Sequence, residues 1–183
     1  MEDEKLLVSQ LKSSNKQELA FRNLMKLYKK RLYWHIRKIV LSHDDADDVL
    51  QNTFIKVFKN IQQFNEESKL YSWMYRIATN EAITFINNKA KKLNVDIGVL
   101  QYEMADNLEN DEKYSGDNIQ LLLQKAIVTL PQKQQLVFNM KYFDEMKYDE
   151  MSEILETSVG ALKASYFHAV KKIENYIKLN LPS

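Results

Sequence analysis

Apolar residues recur every three or four positions along most of the chain, a spacing typical of amphipathic helices. The clearest pattern begins after Ser42, a suitable helix N-cap, and continues to about residue 61. Its buried stripe comprises Ala46, Val49, Leu50, Thr53, Phe54, Val57, Phe58 and Ile61. An earlier helix after Asn15 places Leu24, Leu27, Leu32, Ile36 and Ile39 on one face. No glycine or proline precedes Gly98, so the first half is predicted to be helical throughout.

A further helix follows the FNEES loop at 64–68 and directs Leu70, Trp73, Met74, Ile77, Ala78 and Phe85 inward. Glu81 lies on this apolar stripe. Because burying a lone carboxylate is costly, Glu81 must reach the helix edge or find a cationic partner.

The second half predicts shorter helices. Asp117 is a suitable cap for a helix that Pro131 ends, and Pro131 can open the next one. Two more helices, at about 149–155 and 159–178, are joined by residues 156–158. This arrangement is typical of a helix-turn-helix, with Ser158 as the cap of the second helix. The predicted fold class is therefore all-α.

Charge divides the chain into three parts. The net charge is +6 over residues 1–93, −6 over 94–118 and +1 over 119–183. We therefore predict two small helical domains, 1–93 and 118–183, joined by a flexible acidic linker at 94–117. Composition leaves open whether that segment is only a tether or also an acidic strand that mimics nucleic acid in a basic channel.

Three helix faces carry candidate binding residues, and each has a simpler explanation. Asp44, Asp48, Gln51 and Ile55 share a polar face; the aspartates favour the helix dipole, but Ile55 is apolar where water is expected. Arg76, Asn80, Thr84 and Asn87 suit contacts with bases and phosphates, or form a solvated face. Outward residues on the last helix include several small ones and lysines, which fit a DNA groove or are simply a helix-favouring surface.

Composition argues against several functions. The chain has no cysteine, and its three histidines fall in three different helical segments. No paired metal-ligand spacing, nucleophile elbow or phosphate-binding glycine loop is present, so we expect no enzyme activity, no cofactor and no metal site. No apolar run approaches the roughly 20 residues that cross a bilayer. The acidic start lacks the order of a secretion signal, so a cytoplasmic location is expected.

Taken together, the segments resemble a known family. DADDVLQNTFIKVFKNIQQF (45–64) and LYSWMYRIATNEAITFINN (70–88) resemble region 2 of the ECF (extracytoplasmic function) sigma factors. Residues 130–173 are similar to their region 4. The resemblance implies a bacterial sigma factor that binds core RNA polymerase and directs transcription initiation from promoters. Region 2 would dock on the clamp helices of the largest subunit, and the flap of the second-largest subunit is another implied contact.

The resemblance also implies roles for single residues. Core-polymerase binding would involve Asp44, Asp45, Asp48, Gln51, Phe54 and Ile55. Capture of an unstacked base in the minus-ten element would involve Phe64, Asn65, Trp73, Arg76, Asn80, Thr84 and Asn87. Reading of the minus-thirty-five element would involve Ser158, Gly160, Ala161, Lys163, Ala164, Ser165, His168, Lys171 and Lys172. An anti-sigma factor is a further candidate partner, and the acidic connector would run through the polymerase near the RNA path.

The chain departs from the family pattern at a few positions. Ser165 and His168 stand where arginines are common, so phosphate anchoring there should be weaker. Glu156 stands where a turn glycine is common, which predicts a tighter-fitting turn or a turn of another type. These differences affect the expected promoter sequence.

Two other classes of protein explain less of the chain. A stand-alone helix-turn-helix regulator would account for the second lobe and leave the first without a function. A protein-binding helical adaptor would have no use for Arg76 and Asn80 beside the lysines at 89, 91 and 92.

Overall fold

The computed structural model describes residues 2–110 and 118–180. Over these ranges it contains nine α-helices: α1 (Glu2–Lys12), α2 (Gln17–Val40), α3 (His43–Asn60), α4 (Leu70–Leu93), α5 (Ile97–Asp106), α6 (Asn118–Val128), α7 (Gln132–Tyr142), α8 (Tyr148–Leu155) and α9 (Val159–Asn180). Short 3₁₀ segments, Ile61–Gln63 and Asn107–Asn110, follow α3 and α5. The predicted all-α class is confirmed.

Local sequence explains where several helices begin. The Ser42 hydroxyl accepts a hydrogen bond from the Asp45 backbone N–H at 3.3 Å, and Ser158 accepts one from Ala161 at the same distance. Pro131 lies between α6 and α7, as its missing N–H and fixed φ predict. The predicted caps at Ser42 and Ser158 are confirmed, whereas Asp117 lies outside the described residues.

The first lobe packs α2, α3 and α4 against one another, with α1 on α2. Its predicted apolar stripes are buried at most positions. The prediction is wrong for Leu27, which is 63% exposed, and for Phe58, which is 41% exposed. At 100° per residue, Leu27 falls roughly 120° from the centre of its stripe, beyond the reach of the neighbouring helices.

The connector is more ordered than its fading periodicity predicts. Residues 97–106 form α5, so the prediction of an irregular linker is wrong there. The Asp96 carboxylate caps this helix by accepting the Gly98 N–H at 2.7 Å. Leu100 and Ala105 are buried where α5 packs on α6. A helix of three turns is too short to produce a persuasive period in the sequence.

The two lobes are in direct contact. One apolar cluster joins first-lobe residues on α2 and α4 to second-lobe residues on α7, α8 and α9. Its buried second-lobe members are Leu136, Val137, Met140, Met146, Met151, Ile154 and Leu162. The second lobe also keeps a smaller cluster of its own around Ile127, Phe138 and Ile173. Helix α8 therefore packs on α4, an arrangement that the charge pattern does not predict.

Candidate functional site

The outer face of α3 borders an apolar groove. Asp48, Gln51 and Ile55 are exposed one turn apart along the helix, and Ile55 leaves 45% of its surface in solvent. Beside them lies a groove of about 540 Å³ between α2 and α3. Its apolar lining consists of Phe21, Met25, Leu50, Phe54, Ile55 and Phe58. Such a groove, with charged residues at its rim, is suited to an apolar helix of a partner protein.

The remaining predicted residues of α3 occupy different positions. Asp44 is exposed, as predicted. Asp45 is instead bound to the Lys89 ammonium at 2.5 Å, which ties the start of α3 to the last turns of α4. Phe54 is only 4% exposed and forms part of the groove floor. Sequence reasoning missed the contribution of Phe21, because it lies on a different helix and reaches the groove only through tertiary packing.

Part of the predicted minus-ten set lies together on the surface of α4. Asn80 and Thr84 are exposed one turn apart, and Asn87 is half-buried. Glu81 is bound by the Lys56 ammonium at 2.5 Å, which confirms the prediction that it needs a cationic partner.

The aromatic residues of this set face the protein interior. Trp73 is half-buried and packs on Phe64, with 5.2 Å between ring centroids. Phe64 is only 3% exposed and belongs to the first-lobe core. Direct contact of Phe64 with DNA, predicted from the family pattern, does not fit this arrangement. Asn65, in the adjacent loop, is exposed and accepts the Glu67 N–H at 3.4 Å.

Arg76 is bound by the second lobe. Its guanidinium donates to the Glu156 carboxylate at 2.9 Å and to the Glu153 carbonyl oxygen at 2.5 Å. At the start of the same helix, Lys69 pairs with Glu150 at 3.3 Å. The acidic side of α8 and the turn after it thus cover the first two turns of α4.

The turn between α8 and α9 has an unusual residue at its corner. Glu156 ends α8 with φ of 50° and ψ of 43°, the left-handed conformation that favours glycine. The family's common glycine is therefore replaced without a change of turn geometry. The carboxylate that strains this corner is the one that binds Arg76.

A buried polar network crosses the lobe interface. Asp144, in the loop after α7, is bonded to His35 Nδ1 at 3.1 Å and is also bound by the Lys38 ammonium. His35 Nε2 is 2.8 Å from the Thr79 hydroxyl on α4. Burial raises the pKa of Asp144, but the His35 and Lys38 contacts outweigh burial and hold that pKa below its ordinary value. The carboxylate is therefore held ionised between the lobes.

The outer face of α9 is open to solvent. The exposed members of the predicted set are Ser158, Gly160, Ala161, Lys163, Ala164, His168, Lys171 and Lys172, whereas Ser165 is half-buried. A Cβ added at Gly160 would meet no atom within 4 Å, so packing within the chain does not require glycine there. Small residues leave room for close approach of another surface, and the lysines are placed to reach phosphates.

Sequence reasoning missed Phe167 at the centre of this face. Its ring is 54% exposed, and the Lys171 ammonium lies 4.4 Å from the ring centroid. The available signal was its spacing, because residue 167 falls two turns after Gly160 on the same face.

The described residues offer little to other kinds of site. In ranges 2–110 and 118–180, no group of three or more histidine, cysteine, aspartate or glutamate residues could hold a metal ion. Nor is any helix there sufficiently long and apolar to cross a membrane.

Comparison with known families matches both lobes. Residues 24–92 match the family described as Sigma-70 region 2, and residues 120–173 match Sigma-70, region 4. The folded lobes and these matches define a sigma-70-type transcription initiation factor. The chain is 30% identical over 152 residues to the ECF RNA polymerase sigma factor SigW of Bacillus subtilis, covering 79% of this chain and 81% of SigW. It belongs to the ECF RNA polymerase sigma factors, and it directs promoter-specific transcription initiation by RNA polymerase.

Other relatives span nearly the whole chain. The ECF RNA polymerase sigma-E factor of Haemophilus influenzae is 26% identical over 180 residues, 94% of each chain. Among solved structures, CnrH in complex with the cytosolic domain of CnrY gives a TM-score of 0.71 at 19% identity, covering 97% of this chain and 98% of CnrH. The sigma factor RpoE with the anti-sigma factor NepR from Bartonella quintana gives 0.66 at 17% identity, covering 87% of this chain and 98% of RpoE. Both structures share the fold.

Proposed function

We propose that the chain binds core RNA polymerase through the outer face of α3 and the groove beside it. The observation that carries this proposal is Ile55, an exposed apolar side chain between exposed Asp48 and Gln51, at the edge of an apolar groove. The clamp helices of the largest subunit are the proposed occupant of this groove. The second lobe is proposed to contact the flap of the second-largest subunit.

Promoter DNA is proposed to meet two other faces. On α4, Arg76, Asn80 and Thr84 follow one another at one-turn intervals, and their amide, guanidinium and hydroxyl groups can bond an unpaired base. On α9, the small residues admit the major groove while lysines anchor phosphates. The chain itself catalyses no reaction, needs no cofactor and acts in the cytoplasm, where the polymerase works.

A pull-down with purified core polymerase tests the docking face. Asp48→Lys combined with Gln51→Lys should abolish capture of core enzyme, because both new charges lie beside the apolar groove. The matched control is Asp149→Lys combined with Gln63→Lys, which makes the same charge change at exposed positions elsewhere. Helical content by circular dichroism should be equal in all three proteins. Capture of core enzyme by the α3 variant at the control level would contradict the proposed docking face.

An anti-sigma factor is a second proposed partner. CnrH and RpoE, which share this fold, were each solved with a bound protein, the cytosolic domain of CnrY and the anti-sigma factor NepR. A partner of this kind should compete with core polymerase for the chain. The test is a titration in which a protein captured by the full chain is purified and added to the pull-down. Loss of core capture supports the assignment, and unchanged capture contradicts it.

A further inference from the structure

We infer that the second lobe masks the Arg76 end of α4 in the unbound chain, and that core polymerase must separate the lobes before the minus-ten element can be read. This inference rests on the proposed role of Arg76 in DNA recognition. The covering surface is acidic and belongs to the chain itself: α8 and the turn after it.

The mask consists of groups that substitute for nucleic acid. Arg76 suits a phosphate or a base edge, and here its two terminal nitrogens are occupied by a carboxylate and a carbonyl oxygen. Lys69, one helical repeat earlier, is likewise paired with Glu150. Single-stranded DNA cannot reach Arg76 while α8 holds this position.

The masking contact is specific to Arg76. Glu156 adopts a backbone conformation that glycine would adopt without strain, yet its side chain is the one that binds Arg76. A glycine there would keep the turn and lose the mask. The corner residue therefore contributes to the contact between lobes at the expense of local backbone strain.

Asp144 holds the mask in place. It is almost fully buried, with 8% of its side chain exposed, and it bridges to two first-lobe groups, His35 and Lys38. A buried charge-assisted network of this kind is lost as a unit when one partner is removed. The surrounding apolar cluster, which includes Tyr75 and Met140, excludes water from this contact.

The masked arrangement leaves the other proposed surfaces open. Asp48, Gln51 and Ile55 on α3 remain exposed, and so does the lysine-bearing face of α9. The chain can therefore meet core polymerase while its minus-ten face is covered. This order of events makes promoter opening depend on the polymerase.

A distance measurement between the lobes tests the closed state. The chain has no cysteine, so spin labels on Asn88→Cys and Glu174→Cys, two exposed positions in different lobes, are unique. We expect one narrow distance distribution for the unbound chain, a longer and broader one for Asp144→Ala, and no change for Asp149→Ala, which removes an exposed acid. Addition of core polymerase should lengthen the distance in the unaltered protein. A broad distribution in the unaltered protein, or no lengthening with core enzyme, would overturn the inference.

DNA binding by the unbound chain provides the second readout. Asp144→Ala should raise affinity for single-stranded promoter DNA by at least about fivefold, the lower end of typical coupling between sites. Asp149→Ala makes the same charge change and should leave affinity unaltered, and Arg76→Ala added to Asp144→Ala should remove the gain. Lobe separation without a gain in affinity would overturn the masking role.

A milder variant guards against loss of fold. If Asp144→Ala fails to melt cooperatively, Glu156→Arg replaces it, because residue 156 is largely exposed and the new charge repels Arg76. It should change the distance and the affinity in the same direction. Transcription by the unaltered chain with core enzyme is measured in parallel. Absence of promoter-directed transcription would contradict the proposed function while leaving the closed state intact.

Discussion

The two helices proposed to meet DNA, α4 and α9, are presented in opposite ways. Arg76 on α4 is bound by the second lobe, whereas the glycine, alanines and lysines on the outer face of α9 remain in solvent. A face that reads unpaired bases needs side chains with many hydrogen-bonding groups, and an unoccupied chain can pair those groups internally. A face built from small residues has little to pair, so it stays open.

The lobe interface also differs from the exposed ion pairs of the surface. Asp144, His35 and Lys38 are buried, whereas Glu156 leaves 73% of its side chain exposed beside Arg76. Exposed pairs contribute about 0–1 kcal/mol, and breaking a buried pair costs about 3–5 kcal/mol. The buried network therefore stabilises the contact, while the exposed pair determines which α4 side chain is covered.

The largest expected effect separates the two helices directly. Arg76→Ala should lower open-complex formation by roughly 10- to 100-fold, since a good base contact is worth about 1–3 kcal/mol. The measurement is permanganate footprinting of the melted promoter with holoenzyme. Capture of core enzyme should be unchanged, and a loss of capture would assign Arg76 to polymerase binding instead.

A tenfold effect should distinguish base reading from phosphate anchoring. Asn80→Ala should alter which minus-ten sequences are opened, by about tenfold between sequences, because an amide can discriminate base edges. Lys171→Ala on α9 is the contrast: it should weaken all promoters alike and reduce the slope of log affinity against log salt by about 1. Transcription from a randomised promoter library measures both. Equal, sequence-independent losses for the two variants would contradict this division.

A gain of binding should be possible on α9. His168→Arg restores an arginine common in the family at an exposed position. We expect a severalfold higher affinity for minus-thirty-five duplexes and a salt slope steeper by about 0.9, the value for one added phosphate contact. Fluorescence anisotropy at several salt concentrations is the measurement. An unchanged slope would place residue 168 away from the phosphates.

The smallest expected effect concerns acid and should be confined to the α4 side. Because the folded-state pKa of Asp144 is below its ordinary value of 3.8, its stabilising contribution is present above about pH 4 and is lost as pH falls through the lowered pKa. The distance between spin labels in the two lobes should therefore be constant from neutral pH to about pH 4 and lengthen below it. Asp144→Asn should remove that step, and an identical acid profile for this variant would contradict the role of Asp144.

Local sequence was sufficient for much of the fold. Ser42 and Ser158 predict their own helix caps, and Pro131 predicts the break between α6 and α7, since these features depend on residues a few positions apart. Glu81 on an apolar stripe correctly indicated a cationic partner, although only packing identified it as Lys56. The exposed Ile55 indicated a docking face for the same local reason.

Contacts between distant residues required the tertiary structure. The sequence by itself determined the helical periods, the caps, the charge division and the family resemblance, because each is a property of neighbouring positions. Only the folded chain decided that Phe21 completes the α3 groove, that Phe64 is buried, and that Glu156 binds Arg76 some 80 positions away. Such pairings depend on how whole helices pack, and helical periodicity specifies which face is buried without specifying what covers it.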